Sequence, residues 1–240
     1  MNFKGQAMVL AAGRGERMRP LTDRCPKPLL QVRGQPLLQY HLEALARAGF
    51  ARVVVNTAWL GEQITQAFGD PPRLAGAQGA PLQIAWSHEG IDFGDALETA
   101  GGGARGLPQL DEGCWVAARD VRPDRQGRRQ VDPQRFAAGT ALAHLWLVPN
   151  PPHNPRGDFA LSADGHALND GPQRYTYSTV GLYRRALFDG LPMGNPQGLK
   201  APLAPLLREA IDNGRITAEI HTGPWTDVGT PERLAQLNAS

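Results

Sequence analysis

The residues best suited to chemistry crowd into the first thirty positions. Leu10-Ala11-Ala12-Gly13-Arg14-Gly15-Glu16-Arg17-Met18-Arg19-Pro20-Leu21-Thr22 is followed by Pro26-Lys27-Pro28-Leu29. A strand that ends in small residues lets the backbone approach a ligand closely, and the exposed N–H groups of such a turn can cradle phosphates. Arg14, Arg17, Arg19 and Lys27 add positive charge. Two familiar alternatives fail. Gly13-x-Gly15-x-x-Met18 lacks the third glycine of the dinucleotide fingerprint, and no Gly-Lys-Ser/Thr follows as a P-loop requires. Arg14 and Arg19 read equally well as solvated loop charges.

The elements around this turn alternate. Ala7 to Leu10 reads as a buried strand, and Leu37 to Ala48 has helical spacing with Gly49 as a stop. Arg52 to Asn56, Leu82 to Trp86 and Trp115 to Ala118 read as further strands, and Gly61 to Phe68 as a short helix. A helix is expected to begin near Gly102, with Thr99 or a glycine at its entry. This order argues for an α/β fold, a Rossmann-like doubly wound, mostly parallel (mixed) sheet whose ligands gather at the carboxyl ends of its strands. The second half is less regular: strands at Ala141 to Val148, Phe159 to Leu161 and Ser178 to Tyr183, and a helix at Leu203 to Ile211. Thr230-Pro231-Glu232 is a good helix start, with Thr as N-cap. One domain over 1–240 is expected, in two halves at about 1–121 and about 122–240.

Composition narrows the classes. The formal net charge is +2 in 240 residues, without a long basic run, so nucleic acid and anionic membrane are not expected partners. Cys25 and Cys114 lie far apart and form no Cys-x-x-Cys, which argues against a zinc or redox site and fits a reducing, cytoplasmic compartment. No apolar stretch approaches the ~20 residues of a bilayer span, and no leader pattern is visible at the N-terminus. The six histidines show no metal spacing and read as structural or exposed.

The stretch from Leu10 to Leu29 resembles the signature of the sugar-1-phosphate nucleotidyltransferases, L-A-A-G-x-G-x-R-M-x-P-L-T followed by P-K-P-L. The resemblance implies that Ala11, Ala12, Gly13, Gly15, Glu16, Arg17 and Lys27 hold a nucleoside triphosphate. It makes Lys27 and Arg17 the catalytic cations, on phosphate oxygens and leaving pyrophosphate. Leu97-Glu98-Thr99-Ala100-Gly101-Gly102-Gly103 is similar to the family's L-x-T-G-G stretch, which implies Gly101 beside the base and Glu98 beside the sugar. Trp225-Thr226-Asp227-Val228-Gly229-Thr230 resembles W-x-D-V-G-T, implying Asp227 as one ligand of Mg²⁺; Asp120, after the fourth strand, takes the place of the other. Ala118-Arg119 replaces the small residues the family has before that Asp. Strand alternation is expected to turn Arg119 away and leave Asp120 able to bind metal; the alternative is an inward Arg119 whose guanidinium competes with Mg²⁺ for that carboxylate.

Val148-Pro149-Asn150-Pro151-Pro152-His153, then Gly157-Asp158-Phe159, resemble the N-P-x-H … G-D-F stretch of one subgroup, the N-acetylmuramate α-1-phosphate uridylyltransferases. Asn150 and Asp158 are thereby expected near the sugar, with a turn Asp as the competing reading of Asp158. The expected substrates are a nucleoside triphosphate, UTP first, and a sugar 1-phosphate. Guanylyl or thymidylyl transfer, or a non-catalytic nucleotide-sugar sensor on the same fold, remain as alternatives. The chemistry needs no general base: a phosphate monoester, with second pKa of about 6, is already ionised at neutral pH. Its demand is charge neutralisation and in-line placement.

Overall fold

The computed structural model describes residues 6–69, 74–75, 81–110, 114–118, 136 and 138–239. The strands are β1 (Gln6–Leu10), β2 (Gln31–Val32), β3 (Gln35–Pro36), β4 (Arg52–Thr57), β5 (Leu74–Ala75), β6 (Pro81–His88), β7 (Cys114–Ala118), β8 (Ala143–Val148), β9 (Phe159–Leu161), β10 (Ala167–Leu168), β11 (Arg174–Arg184) and β12 (Ile216–Ile220). The helices among the described residues are α1 (Leu37–Arg47), α2 (Gly61–Phe68), α3 (Glu89–Phe93), α4 (Glu98–Gly106), α5 (Leu203–Asp212) and α6 (Pro231–Ala239).

Ten strands form one sheet, in which β6, β4, β1 and β7 lie side by side and parallel. β11 then runs antiparallel to β7, β8 antiparallel to β11, and β12 parallel to β8. The four-strand parallel core belongs to the first half of the chain, while most of the antiparallel pairing belongs to the second. Period-2 alternation divides the core: on β4, Val54 faces one cluster while Val53 and Val55 face the other, and β1 sends Met8 one way and Ala7 and Val9 the other. Leu38, Leu42 and Leu45 of α1 cover one face, and Leu207, Ala210 and Ile211 of α5 cover the other. Each fully buried leucine of this kind contributes about 1.5–3 kcal/mol. Helices on both faces of a parallel core define the doubly wound layering.

The chain steps outward from β1 through β4 to β6, then returns to β7 on the opposite side of β1. The carboxyl ends of β1 and β7 therefore bound the crevice where the winding reverses, with Val9 paired to Ala118. The glycine turn leaves β1 at that crevice. Asp120, and Arg119 before it, lie outside the described residues.

Several elements differ from the sequence reading. α4 begins at Glu98, four residues before Gly102, because its first N–H groups find an acceptor elsewhere: Ala100 and Gly101 both donate to the Ala201 carbonyl, at 2.9 and 3.1 Å. β11 extends from Arg174, well ahead of Ser178, and a register shift between Tyr177 and Gly181 lets it serve β9, β8 and β7 in turn. α3 and β12 have no counterpart in the sequence reading.

Candidate active site

A cavity of about 290 Å³ lies against the glycine turn, lined by residues that include Leu10, Ala11, Gly13, Gly15, Glu16, Arg17, Lys27 and Gly229. Gly15 sits at φ +69°, and a Cβ there would approach Thr22 Cγ2 to 3.0 Å, so both backbone and space call for glycine. Thr22, fully buried, donates from Oγ1 to the Gly15 carbonyl at 2.9 Å and ties the turn to the chain that follows. Lys27 is 8 % exposed, held in a single 3₁₀ turn between Pro26 and Pro28. Arg17 is exposed on the same cavity wall.

Arg14, which also lines the cavity, and Arg19 brace the turn. Arg14 donates to the Thr22 carbonyl at 2.7 Å and to Asp23 at 2.8 Å, and its guanidinium lies 3.8 Å over the Trp59 ring. Trp59 adds an Nε1–H bond to the same Thr22 carbonyl at 2.9 Å. Arg19 pairs with Asp23 at 2.8 Å. The hydrogen bond from Arg14, with Arg19 beside it, holds the Asp23 carboxyl below its ordinary value despite some desolvation.

Beneath the turn, the ends of three parallel strands are laced together. The Ala11 N–H donates to Asn56 Oδ1 at 2.6 Å, Asn56 Nδ2 donates to Glu89 Oε1 at 2.7 Å, and the Leu97 N–H donates to Glu89 Oε2 at 2.8 Å. Sequence reading missed Asn56 and Glu89. The available signal was a polar residue closing the apolar strand Arg52 to Asn56 at its carboxyl end.

The three consecutive glycines of α4 each meet a different neighbour. A Cβ on Gly101 would fall 2.4 Å from the Leu199 carbonyl, one on Gly102 would fall 2.5 Å from Glu89 Oε1, and one on Gly103 would fall 3.1 Å from Phe188. The Gly101 N–H is taken by Ala201, and its carbonyl accepts from Asn195 Nδ2 at 3.2 Å. Glu98, exposed, opens the helix at φ +63°, a conformation non-glycine residues adopt only under constraint.

The C-terminal landmark closes the cavity. Val228 shares a buried cluster with Met18 of the glycine loop, which brings Gly229 to the cavity wall. Trp225 pins this segment to β11, donating to the Ser178 carbonyl at 3.3 Å, next to Thr179 at φ +65°. Thr230 caps α6, accepting the Arg233 N–H at 3.4 Å. The Asp227 carboxylate meets Arg233 Nη1 at 2.5 Å and His153 Nε2 at 3.1 Å. His153, expected to be structural or merely exposed, thus stands beside Asp227, and Arg233 is a second neighbour that the sequence reading did not single out. Among the described residues no group of three or more His, Cys, Asp or Glu gathers as a metal cluster.

Asn150 and Asp158 meet one another's surroundings but spend their bonds on the loop. Asn150 donates to the Arg174 carbonyl at 2.9 Å and accepts from Thr176 Oγ1 at 3.0 Å. Asp158 Oδ2 accepts the Tyr177 N–H at 2.8 Å, and both carboxylate oxygens face Asn154 Nδ2 at 3.3 Å. These bonds fasten the 149–158 loop to β11. Of the expected residues, Ala11, Gly13, Gly15, Glu16, Arg17 and Lys27 share one cavity wall, Ala12 lies in the same turn, and Asp227 lies two residues from its Gly229 edge. Asn150 and Asp158 form a separate cluster in the 149–158 loop, whose His153 meets Asp227.

The chain is similar to known proteins over nearly its whole length. Residues 7–84 match the family model of the MobA-like NTP transferase domain. The chain is 46 % identical over 98 % of its length to the N-acetylmuramate alpha-1-phosphate uridylyltransferase of Neisseria meningitidis serogroup B, covering 97 % of that protein. It is 30 % identical to the enzyme of the same name in Caulobacter vibrioides, over 94 % of this chain and 92 % of that one. Among solved structures, the inositol-1-phosphate CTP transferase of T. maritima shares the fold with a TM-score of 0.68 at 17 % identity, over 98 % of this chain and 94 % of that one. With its glycine loop, its Pro-Lys-Pro turn and its closing Asp-Val-Gly-Thr meeting at one crevice, this chain belongs to the sugar-1-phosphate nucleotidyltransferases.

Proposed function

We propose that the enzyme joins UTP to N-acetylmuramate 1-phosphate, releasing pyrophosphate. The observation that carries this is the cavity beyond the carboxyl end of β1 where the glycine loop, Lys27 and Gly229 meet, together with 46 % identity over nearly the whole chain to an enzyme named for that substrate. The nucleotide-binding half is then about 1–121 and the acceptor half about 122–240.

In this reading the turn from Ala11 to Glu16 lies along the triphosphate, with Ala12 in its backbone. Gly101 stands near the base through the geometry of α4. Glu98, Asn150 and Asp158 belong to the acceptor side, the last two by shaping the 149–158 loop. An oxygen of the sugar 1-phosphate attacks the α-phosphorus, a new O–P bond forms, and the bond from the α-phosphorus to the bridging oxygen breaks. Pyrophosphate leaves with that electron pair. The attacking oxygen is already ionised, so no side chain must remove a proton. Lys27 and Arg17 offset the charge that gathers on the phosphates and the leaving group. Lys27, stiffened by its flanking prolines, needs little reorganisation to do so.

Asp227 carries hard carboxylate oxygens beside the cavity, which suit Mg²⁺, a cation held by one or two carboxylates plus substrate phosphates; Mg²⁺ there would share the carboxylate with Arg233 and His153, which meet its Oδ2. Asp120 is proposed as its companion. Bound there, Mg²⁺ would supply charge neutralisation on phosphate oxygens. The test is pyrophosphate release over a matrix of four triphosphates and several sugar 1-phosphates, with and without Mg²⁺. The expected result is turnover highest with UTP and N-acetylmuramate 1-phosphate, abolished by chelation. Equal or better turnover with another pair would reassign the substrates.

A further inference from the structure

One buried hydrogen-bond chain runs beneath the two segments proposed to hold the nucleotide. Asn56 closes β4 at 2 % exposure and Glu89 opens α3 at 0 %. The chain runs from the Ala11 N–H through Asn56 and Glu89 to the Leu97 N–H, over 2.6, 2.7 and 2.8 Å. Backbone amides at its two ends can only donate, so the direction of every bond is set. Asn56 must turn its carbonyl to Ala11 and its amide nitrogen to Glu89. Glu89 then faces donors at both oxygens, which suits a carboxylate, whereas a protonated acid would need a further acceptor for its O–H.

This arrangement is costly to keep. Burial pushes the Glu89 carboxyl above its ordinary value, while the Leu97 and Asn56 donors pull it back. A well-packed apolar pair often stabilises a core as well as buried charge does. Space is also reserved for it, since a Cβ on Gly102 would lie 2.5 Å from Glu89 Oε1 and 2.7 Å from Asn56 Nδ2. The ends of the chain are what the arrangement serves. Ala11 lines the cavity, and Leu97 immediately precedes Glu98, the constrained first residue of α4.

We infer that Asn56 and Glu89 are positioning residues for the nucleotide: their shared hydrogen bond sets the phosphate loop and the entrance of α4 in one fixed frame. The inference rests on the reading that both segments hold the nucleotide. Neither side chain touches the reacting atoms; each acts through a backbone amide.

An exchange of the pair tests it. Glu89→Gln offers one acceptor oxygen to two donors, and Asn56→Asp sets two carboxylates face to face. In the double variant Asn56→Asp/Glu89→Gln, the new aspartate accepts from Ala11 and from the new glutamine, whose carbonyl accepts from Leu97. All three bonds return. UTP affinity is measured calorimetrically in Mg²⁺ without acceptor, alongside KM for each substrate and a melting curve. Each single variant should weaken UTP by about tenfold or more, the scale of one broken bond to a charged group, with little change in the acceptor KM. The double variant should recover most of that loss. Folded single variants that bind UTP as the native protein does would overturn the inference. So would a double variant that regains its melting temperature without its UTP affinity, or that stays as damaged as the single ones. If the single variants do not fold, the double variant decides on the same terms. Lys27→Ala serves as the control: unchanged UTP binding there would refute the nucleotide reading of the cavity instead.

Discussion

Around the glycine loop most of the bracing comes from residues outside the cavity lining, Arg14 excepted, whereas in the 149–158 loop the residues nominated for sugar binding do the bracing themselves. Arg14, Trp59, Thr22 and Asp23 hold the glycine loop from behind, and Asn56 holds it from below. Arg17 and Lys27 line the cavity, and Arg14 both lines it and braces the turn. On the acceptor side Asn150 and Asp158 commit their polar atoms to Arg174, Thr176 and Tyr177 of β11. The difference teaches that a motif residue can serve binding directly or by building the surface that binds, and that only the bond list separates the two.

The sharpest way to break the comparison is Lys27→Ala. Loss of one charge aimed at the phosphates should cost on the order of 10²–10³ in turnover, with an unchanged far-UV spectrum and melting point. Near-normal turnover at saturating UTP would remove Lys27 from the cavity's chemistry. Gly101→Ala comes next. Its methyl would meet the Leu199 carbonyl at 2.4 Å, and such overpacking costs about 1–3 kcal/mol. Urea unfolding should register that loss; equal stability would mean that the 199–201 segment yields easily. Asp158→Ala strands the Tyr177 N–H and loosens the loop. The acceptor KM should rise roughly tenfold, the scale of one lost charged hydrogen bond, with the UTP KM unmoved. Trp59→Phe is the mildest. It deletes the bond to the Thr22 carbonyl while keeping a ring for Arg14, and should lower stability by about 1 kcal/mol. A drop of several-fold more would show that the indole N–H is the main clasp of the turn.

Much of the nucleotide side was legible because its signals are local. Buried strands, a helical stripe in Leu37 to Ala48 and a long contiguous motif all sit within short windows. The acceptor side depends on tertiary effects. β12, Ile-Thr-Ala-Glu-Ile, is a five-residue strand with only intermittent apolar character, stabilised by pairing along β8. β11 breaks its alternation where Thr179 takes a positive φ, so only its second half reads as a strand. The Asn56–Glu89 bond joins residues 33 apart, a distance no periodicity reports. His153 and Asp227 come together from segments more than seventy residues apart, which is why the histidine looked idle in the sequence. Gly101 illustrates the same limit from the other direction: its motif position was plain, but its tight approach to Leu199 belongs to the packed structure.

The most direct test of the division between the two regions is a crossed kinetic measurement. Native protein, Lys27→Ala and Asp158→Ala would each be assayed for kcat and for KM toward UTP and toward N-acetylmuramate 1-phosphate. The division predicts that Lys27→Ala acts on kcat and UTP alone, and that Asp158→Ala acts on the sugar phosphate alone. If Asp158→Ala moved the UTP KM as far as the acceptor KM, or Lys27→Ala disturbed only the acceptor, the two regions would not be the separate nucleotide and sugar sites described.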